Sequence, residues 1–81
     1  MKKDQVVKKL DSIFIKIFKI DKKKLKTLSI GNFYKWDSLS HIIIMSEIEK
    51  KFQISINNNI SITLINYKKI SDYLIKTLVK K

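Results

Sequence analysis

The sequence predicts an all-α fold: a small antiparallel four-helix bundle with three main helices, one short helix and a long first loop. Three stretches carry apolar residues at helical spacing, and turn-forming residues separate these stretches. Hydrophobic residues make up 44% of the 81 positions, which is enough for a compact core. No internal repeat or linker divides the chain, so residues 1–81 are predicted to form a single domain.

The first helix is predicted to run from about Asp4 to Ile20, with Asp4 as its N-cap. Lysines lie opposite its apolar face, and only Ile15 points away from that face. The apolar positions are Val6, Val7, Leu10, Ile13, Phe14, Ile17 and Phe18. This pattern indicates a half-buried helix.

A long connection, Asp21–Asp37, follows the first helix. Gly31-Asn32 is its clearest turn signal, and Gly31 is the only glycine in the chain. Structureless loops of this length are uncommon in compact domains, so we expect the connection to pack across the helices. Its apolar anchors would be Leu25, Leu28, Ile30 and Phe33.

The second helix is predicted over Ser38–Phe52. Its wide apolar face would comprise Leu39, Ile42, Ile44, Met45, Ile48 and Phe52. The opposite side would carry Ser40, Ile43, Glu47, Lys50 and Lys51.

Three consecutive asparagines, residues 57–59, break the pattern after the second helix. The alternation in Ile60–Thr63, taken by itself, suggests a short strand. The last helix is predicted over Tyr67–Val79. It would bury Ile70, Tyr73, Leu74 and Leu78.

Composition excludes several classes of protein. The absence of cysteine rules out a disulfide framework and cysteine-based metal sites. The longest apolar run, Ile42–Met45, is too short to cross a bilayer, and the N-terminus lacks the pattern of a signal peptide. We therefore expect a cytoplasmic chain without membrane insertion.

The formal net charge of +11 raises the alternative of a small basic helical module that binds nucleic acid or an anionic surface. All 18 basic residues are lysine, whereas base readout and bidentate phosphate binding favour arginine. The chain is also rich in lysine, isoleucine and asparagine, which have AT-rich codons. A solvated lysine surface is the favoured interpretation, and no nucleic-acid partner is expected.

The triplet Asp37-Ser38-Leu39 stands where the loop meets the second helix, and Ile48-Glu49-Lys50-Lys51-Phe52-Gln53-Ile54-Ser55-Ile56 lies downstream of it. This combination resembles the acyl carrier protein family, including peptidyl and aminoacyl carrier domains. The resemblance implies a long first loop, a short helix at about Ile60–Ile65, and 4′-phosphopantetheine attached to Ser38. It also implies that Asp37 and Leu39 support recognition by the phosphopantetheinyl transferase.

The chemistry of this attachment suits the position of Ser38. Unpaired N–H groups and the partial positive charge at a helix N-terminus favour a phosphodiester. Asp37 or Ser38 would cap the helix, and Leu39 would be buried and orient its first turn. The thiol of the arm would hold an acyl or aminoacyl group as a thioester. The further partners would be a loading enzyme and an acceptor transferase, and the carrier is expected to be monomeric.

These residues have two other interpretations. Asp37 and Ser38 are also preferred as ordinary helix caps. On a helix, Asp37, Ser38 and His41 could approach one another as in a hydrolytic triad. The chain has no Gly-x-Ser-x-Gly turn and little room for a cleft that excludes water, so it is predicted not to be an enzyme. A lone histidine without cysteine also argues against a metal site.

The residues around the triplet predict which partners it has. We expect at least one of Tyr34 and Trp36 to pack the loop onto the bundle. Trp36 occupies a position that is usually small in carriers of fatty-acid synthesis, and it is more typical of aminoacyl or specialised carriers. Typical carriers are acidic along the second helix, whereas this one is not. We therefore predict a dedicated biosynthetic partner that contacts Trp36, Ile43 and Glu47, with Leu39 as a further apolar contact.

Overall fold

The structure is a computed structural model that describes residues 2–79. Helix α1 spans Lys3–Phe18, a 3₁₀ helix spans Lys22–Thr27, α2 spans Ser38–Phe52, α3 spans Asn58–Ser61 and α4 spans Tyr67–Leu78. These residues contain no strand, only an isolated bridge between Ser29 and Asn66. The all-α prediction is confirmed, whereas the antiparallel four-helix arrangement stays a prediction.

Helix α1 buries the apolar face that the sequence indicates. Val6, Leu10 and Phe14 are fully buried, and Ile15 is exposed as predicted. The predicted N-cap was wrong: Asp4 lies in the first turn, and the Gln5 side chain accepts a hydrogen bond from the Lys2 backbone N–H. The cap is therefore made by a side chain inside the helix.

The first loop packs across the helices, as predicted. It contains the 3₁₀ helix, which the sequence analysis missed, and Asp21 caps that helix by accepting from the Lys23 N–H. The loop buries three of its own side chains, those of Leu25, Leu28 and Trp36. The loop is therefore part of the core.

Two long-range backbone hydrogen bonds tie the first loop to the segment before α4. The N–H of Ile30 donates to the carbonyl of Ile65 at 2.8 Å, and the N–H of Tyr67 donates to the carbonyl of Leu28 at 3.0 Å. They lie on either side of the Ser29–Asn66 bridge. The loop therefore has fixed neighbours at its midpoint.

The core lies between α1 and its neighbours. Helix α1 contacts both α2 and α4, and the 3₁₀ helix contacts α1 and α4. Phe14 lies edge-on to two rings, with centroids 5.3 Å from Trp36 and 5.6 Å from Tyr67. Such edge-to-face pairs add to the burial of apolar surface, so Phe14 joins the loop, α1 and α4.

One polar pair lies inside this core. The Tyr67 hydroxyl donates to the Asp11 carboxylate at 2.5 Å, and the two residues are only 5% and 7% exposed. Burial, followed by the hydrogen bond to Asp11, raises the pKa of the Tyr67 phenol. Tyr67 therefore stays protonated and satisfies a buried carboxylate.

The predicted apolar face of α2 was partly wrong. Ile44, Met45, Ile48 and Phe52 are buried, and the bounds of the helix agree with the prediction. Leu39 and Ile42, however, are 67% and 64% exposed. Residues 42–44 are all isoleucine, so the spacing alone cannot tell which of the three faces inward.

The C-terminal part of the chain also differs from its prediction. Helix α3 begins at Asn58, because the Asn57 side chain accepts from the Ile60 N–H and caps it. The strand suggested by alternation does not form, and the helix expected at Ile60–Ile65 lies earlier. Helix α4 buries Ile70 and Leu74 fully and Tyr73 and Leu78 in part. Among residues 2–79, every helix is too short or too polar to cross a membrane.

Candidate functional site

Ser38 is the first residue of α2 and is exposed. The preceding residue, Asp37, is the N-cap, and its carboxylate accepts from the Ser40 N–H at 2.9 Å. The Asp37 carbonyl accepts from the His41 N–H at 2.9 Å, which closes the first turn. Within residues 2–79 the Ser38 hydroxyl has no hydrogen-bond partner. It is therefore free to react with an external group.

Electrostatics keep the Asp37 cap charged. The hydrogen bond from the Ser40 backbone N–H, and then that from the Ser40 side chain, lower the pKa of the Asp37 carboxyl. A charged carboxylate is the better acceptor for the backbone N–H groups of the first turn. Asp37 therefore holds the turn that presents Ser38.

His41 connects three parts of the chain below Ser38. Its Nδ1 accepts from the Trp36 indole Nε1–H at 3.1 Å, and its Nε2 lies 2.9 Å from the carbonyl oxygen of Ser61. An indole nitrogen only donates, so Nδ1 carries no proton and Nε2 donates to the carbonyl. The imidazole thus joins the loop, α2 and α3. The sequence analysis considered His41 only for a triad or a metal site and missed this connecting role.

This arrangement is not a hydrolytic triad. Both ring nitrogens of His41 are bonded to groups other than Ser38, and the Asp37 carboxylate is bonded to Ser40. A nucleophilic serine needs its base within hydrogen-bond reach, and that base needs an orienting group. The three residues therefore have capping and connecting roles.

Trp36 was predicted as a partner contact, and its position argues against a direct contact. Its side chain is 1% exposed, and its ring centroid lies 5.3 Å from that of Phe14 and 5.9 Å from that of Phe18. The alternative role, packing of the loop onto the bundle, is the one that Trp36 has. Tyr34, by contrast, is 84% exposed.

The other predicted contact residues lie on α2. Ile43 is exposed, as expected for the polar side of the helix. Leu39 is exposed rather than buried, so it does not anchor the first turn from inside the core. Glu47 Oε1 bonds Lys16 Nζ at 3.1 Å, and this bond lowers the pKa of the Glu47 carboxyl. Glu47 therefore faces α1 as well as solvent.

An apolar groove beside Ser38 was not predicted. Its volume is about 380 Å³, and it runs between α2 and the α3 region. The lining residues are Ile30, Ser38, His41, Ile42, Asn58, Ser61, Ile62 and Ile65. The three consecutive isoleucines were the available signal, because they cannot all face inward. Ile62 and Ile65 line the groove only because distant segments pack together, which the sequence pattern does not show.

The site is therefore an exposed serine with an internally bonded cap and an apolar surround. The described residues 2–79 bring no group of three or more potential metal ligands together. The resemblance to carrier proteins stays a prediction from the sequence around Ser38. No protein-family model, no curated protein and no solved structure matches this chain.

Proposed function

We propose that this protein is a carrier that holds acyl or aminoacyl groups as thioesters on a 4′-phosphopantetheine arm attached to Ser38. The observation that carries the proposal is the exposed hydroxyl of Ser38, which has no hydrogen-bond partner within residues 2–79 and stands at the first position of α2, directly after the Asp37 cap. A hydroxyl in that position can be reached by a modifying enzyme without unfolding the helix.

The surroundings of Ser38 suit the arm. The linking phosphodiester carries a negative charge, which the N-terminal end of the 15-residue helix α2 favours. Ser38 itself performs no catalysis in this proposal. This agrees with the engagement of His41 by Trp36 and Ser61.

The finer features of the proposal follow the family resemblance. The four helices would form an antiparallel bundle, and the protein would act as a cytoplasmic monomer in a dedicated biosynthetic pathway. Its enzymes would be a phosphopantetheinyl transferase, a loading enzyme and an acceptor transferase. Asp37 would support transferase recognition by holding the first turn, and Leu39 would do so from the surface.

The test is intact-mass measurement after incubation with coenzyme A and a broad-specificity phosphopantetheinyl transferase. The wild-type chain should gain one phosphopantetheine, and Ser38→Ala should gain none. Ser40→Ala is the matched control, since it removes a hydroxyl two residues away and keeps the backbone N–H that Asp37 binds. It should still be modified.

A gain at a residue other than Ser38, located by peptide mapping, would contradict the proposal. No gain by any folded variant with several transferases would also contradict it. In that case the basic-module alternative predicts nucleic-acid binding that falls steeply with added salt and is unaffected by Ser38→Ala.

A further inference from the structure

Most of the exposed apolar residues gather around Ser38. Among residues 2–79, seven large apolar side chains are exposed, and only Ile15 lies away from Ser38. The others lie on the first two turns of α2 or line hollows that Ser38 also lines. This group, here named the Ser38 patch, consists of Tyr34, Leu39, Ile42, Ile43, Ile62 and Ile65.

The carboxylates of α2 are bonded within the protein. Glu47 accepts from Lys16, and Glu49 Oε2 accepts from the Ile56 backbone N–H at 2.9 Å. Lys50 and Lys51 are exposed, and within the described part of the chain their ammonium groups form no ion pair or hydrogen bond. The charge that α2 offers to a partner is therefore positive.

The apolar and basic parts lie in line along α2. Ile43 and Lys50 are seven residues apart, so they share a face and are separated by about 10 Å along the axis. The face is apolar near Ser38 and cationic toward Phe52. Its charge complements a partner that is acidic at one end.

We propose that this face of α2 docks a partner protein that offers an apolar depression to the Ser38 patch and carboxylates to Lys50 and Lys51. The inference rests on the proposed function, because docking there brings an enzyme to Ser38. Protein interfaces combine an apolar centre with a polar rim, as this face does. A nucleic acid would pair with the lysines but leave the Ser38 patch against phosphates.

The inference is tested with two synthetic amphipathic helical peptides, one with a leucine face and a glutamate rim, the other with a leucine face and a lysine rim. The dissociation constants and the ¹H–¹⁵N shift changes of the full chain are measured at physiological salt. The acidic peptide should bind about tenfold more tightly, with shift changes confined to the α2 face and the Ser38 patch.

Charge-reversal variants separate the α2 face from the overall charge. Lys50→Glu combined with Lys51→Glu should weaken binding of the acidic peptide about fivefold. Lys22→Glu combined with Lys23→Glu makes the same change of charge on the 3₁₀ helix and should weaken binding less than about twofold. Ile43→Ser should weaken binding of both peptides, since it removes an apolar contact.

Equal weakening by the two double variants would overturn the inference, because attraction would then depend on net charge alone. A short DNA duplex that binds the α2 face more tightly than the acidic peptide would also overturn it. Docking is measured by peptide binding to the chain without its arm, whereas arm attachment is measured by intact mass. Failure of arm attachment and failure of docking are therefore distinguishable.

Discussion

His41 is the residue on which the local structure of the site depends. Its backbone belongs to the first turn of α2, while its ring bonds the loop through Trp36 and α3 through Ser61. The ring also stacks on the indole, with centroids 6.0 Å apart. One side chain thus sets the position of Ser38 relative to its surroundings.

His41→Ala should lower the free energy of unfolding by about 1–3 kcal/mol, because two hydrogen bonds are lost and two polar groups lose their partners. The emission of Trp36, the only tryptophan, should shift to the red as its indole N–H gains water. Urea unfolding followed by fluorescence measures both effects.

Ile42→Ala, one position further along α2, is the control, since Ile42 is 64% exposed. It should change the stability by no more than about 0.5 kcal/mol and leave the emission unchanged. If the two variants behaved alike, the connecting role of His41 would be wrong.

Tyr67→Phe should lower the free energy of unfolding by about 1–3 kcal/mol near neutral pH, because the buried Asp11 carboxylate loses the hydroxyl that binds it. The pKa of Tyr67 is raised by folding. The stability that the Tyr67 hydroxyl contributes is therefore complete below the unfolded-state pKa of about 10, and it is lost as pH rises toward the folded-state pKa.

The difference in stability between wild type and Tyr67→Phe should accordingly be constant from about pH 7 to 9 and shrink above about pH 10. Thermal unfolding at several pH values measures it. Tyr73→Phe serves as the control, since the Tyr73 hydroxyl forms no hydrogen bond within residues 2–79. A difference that grew with pH would contradict the assignment of this pair.

At the scale of the helices, neighbouring residues predict where a helix begins better than the spacing predicts which of its faces is buried. Asp37 caps α2 through its own side chain, so the start of α2 could be read from adjacent residues. The start of α3 was missed because Asn57 was taken as a breaker rather than a cap. The inward direction of Ile42–Ile44 depends on what α2 packs against, which the spacing does not contain.

The helix ends show an unusual choice of residue. Helices α1 and α2 both end in a left-handed residue, Lys19 at φ 54° and Gln53 at φ 55°. Glycine is the usual residue there, because a Cβ atom is strained in this conformation. The single glycine, Gly31, lies elsewhere and has a negative or extended φ.

Gln53→Gly should therefore raise the free energy of unfolding by about 1 kcal/mol. The substitution relieves the backbone strain, and the greater entropy of the unfolded chain offsets part of that gain. Denaturant unfolding measures the change. Lys51→Gly, on the exposed side of the last turn of α2, is the control and should lower the free energy of unfolding by up to about 1 kcal/mol. Destabilisation by both substitutions to a similar extent would show that Gln53 is not strained.

For the molecule as a whole, the sequence predicts the class of fold and the exposed serine position, but not the contacts that join distant segments. Asp11 and Tyr67 are 56 residues apart, and Trp36 meets Phe14 across the loop. Helical spacing describes which residues share a face and says nothing about which faces meet. The groove beside Ser38 was missed for the same reason.

The net charge of +11 has a consequence for the stability of the whole molecule. Repulsion among lysines weakens the compact state, and salt screens it over about 10 Å at 0.1 M. The melting temperature should therefore rise between low salt and about 0.3 M salt. Lys22→Glu combined with Lys23→Glu should show a smaller rise, whereas a fall in the wild type would contradict this account.

The paired backbone bonds between Leu28 and Tyr67 and between Ile30 and Ile65 also bear on the order of folding. They close a long stretch of chain that includes α2, and closure of such stretches is slow relative to helix formation. The apolar groove beside Ser38, which Ile30 and Ile65 both line, is complete only after that closure. An enzyme that recognises the groove would therefore distinguish the finished protein from the nascent chain.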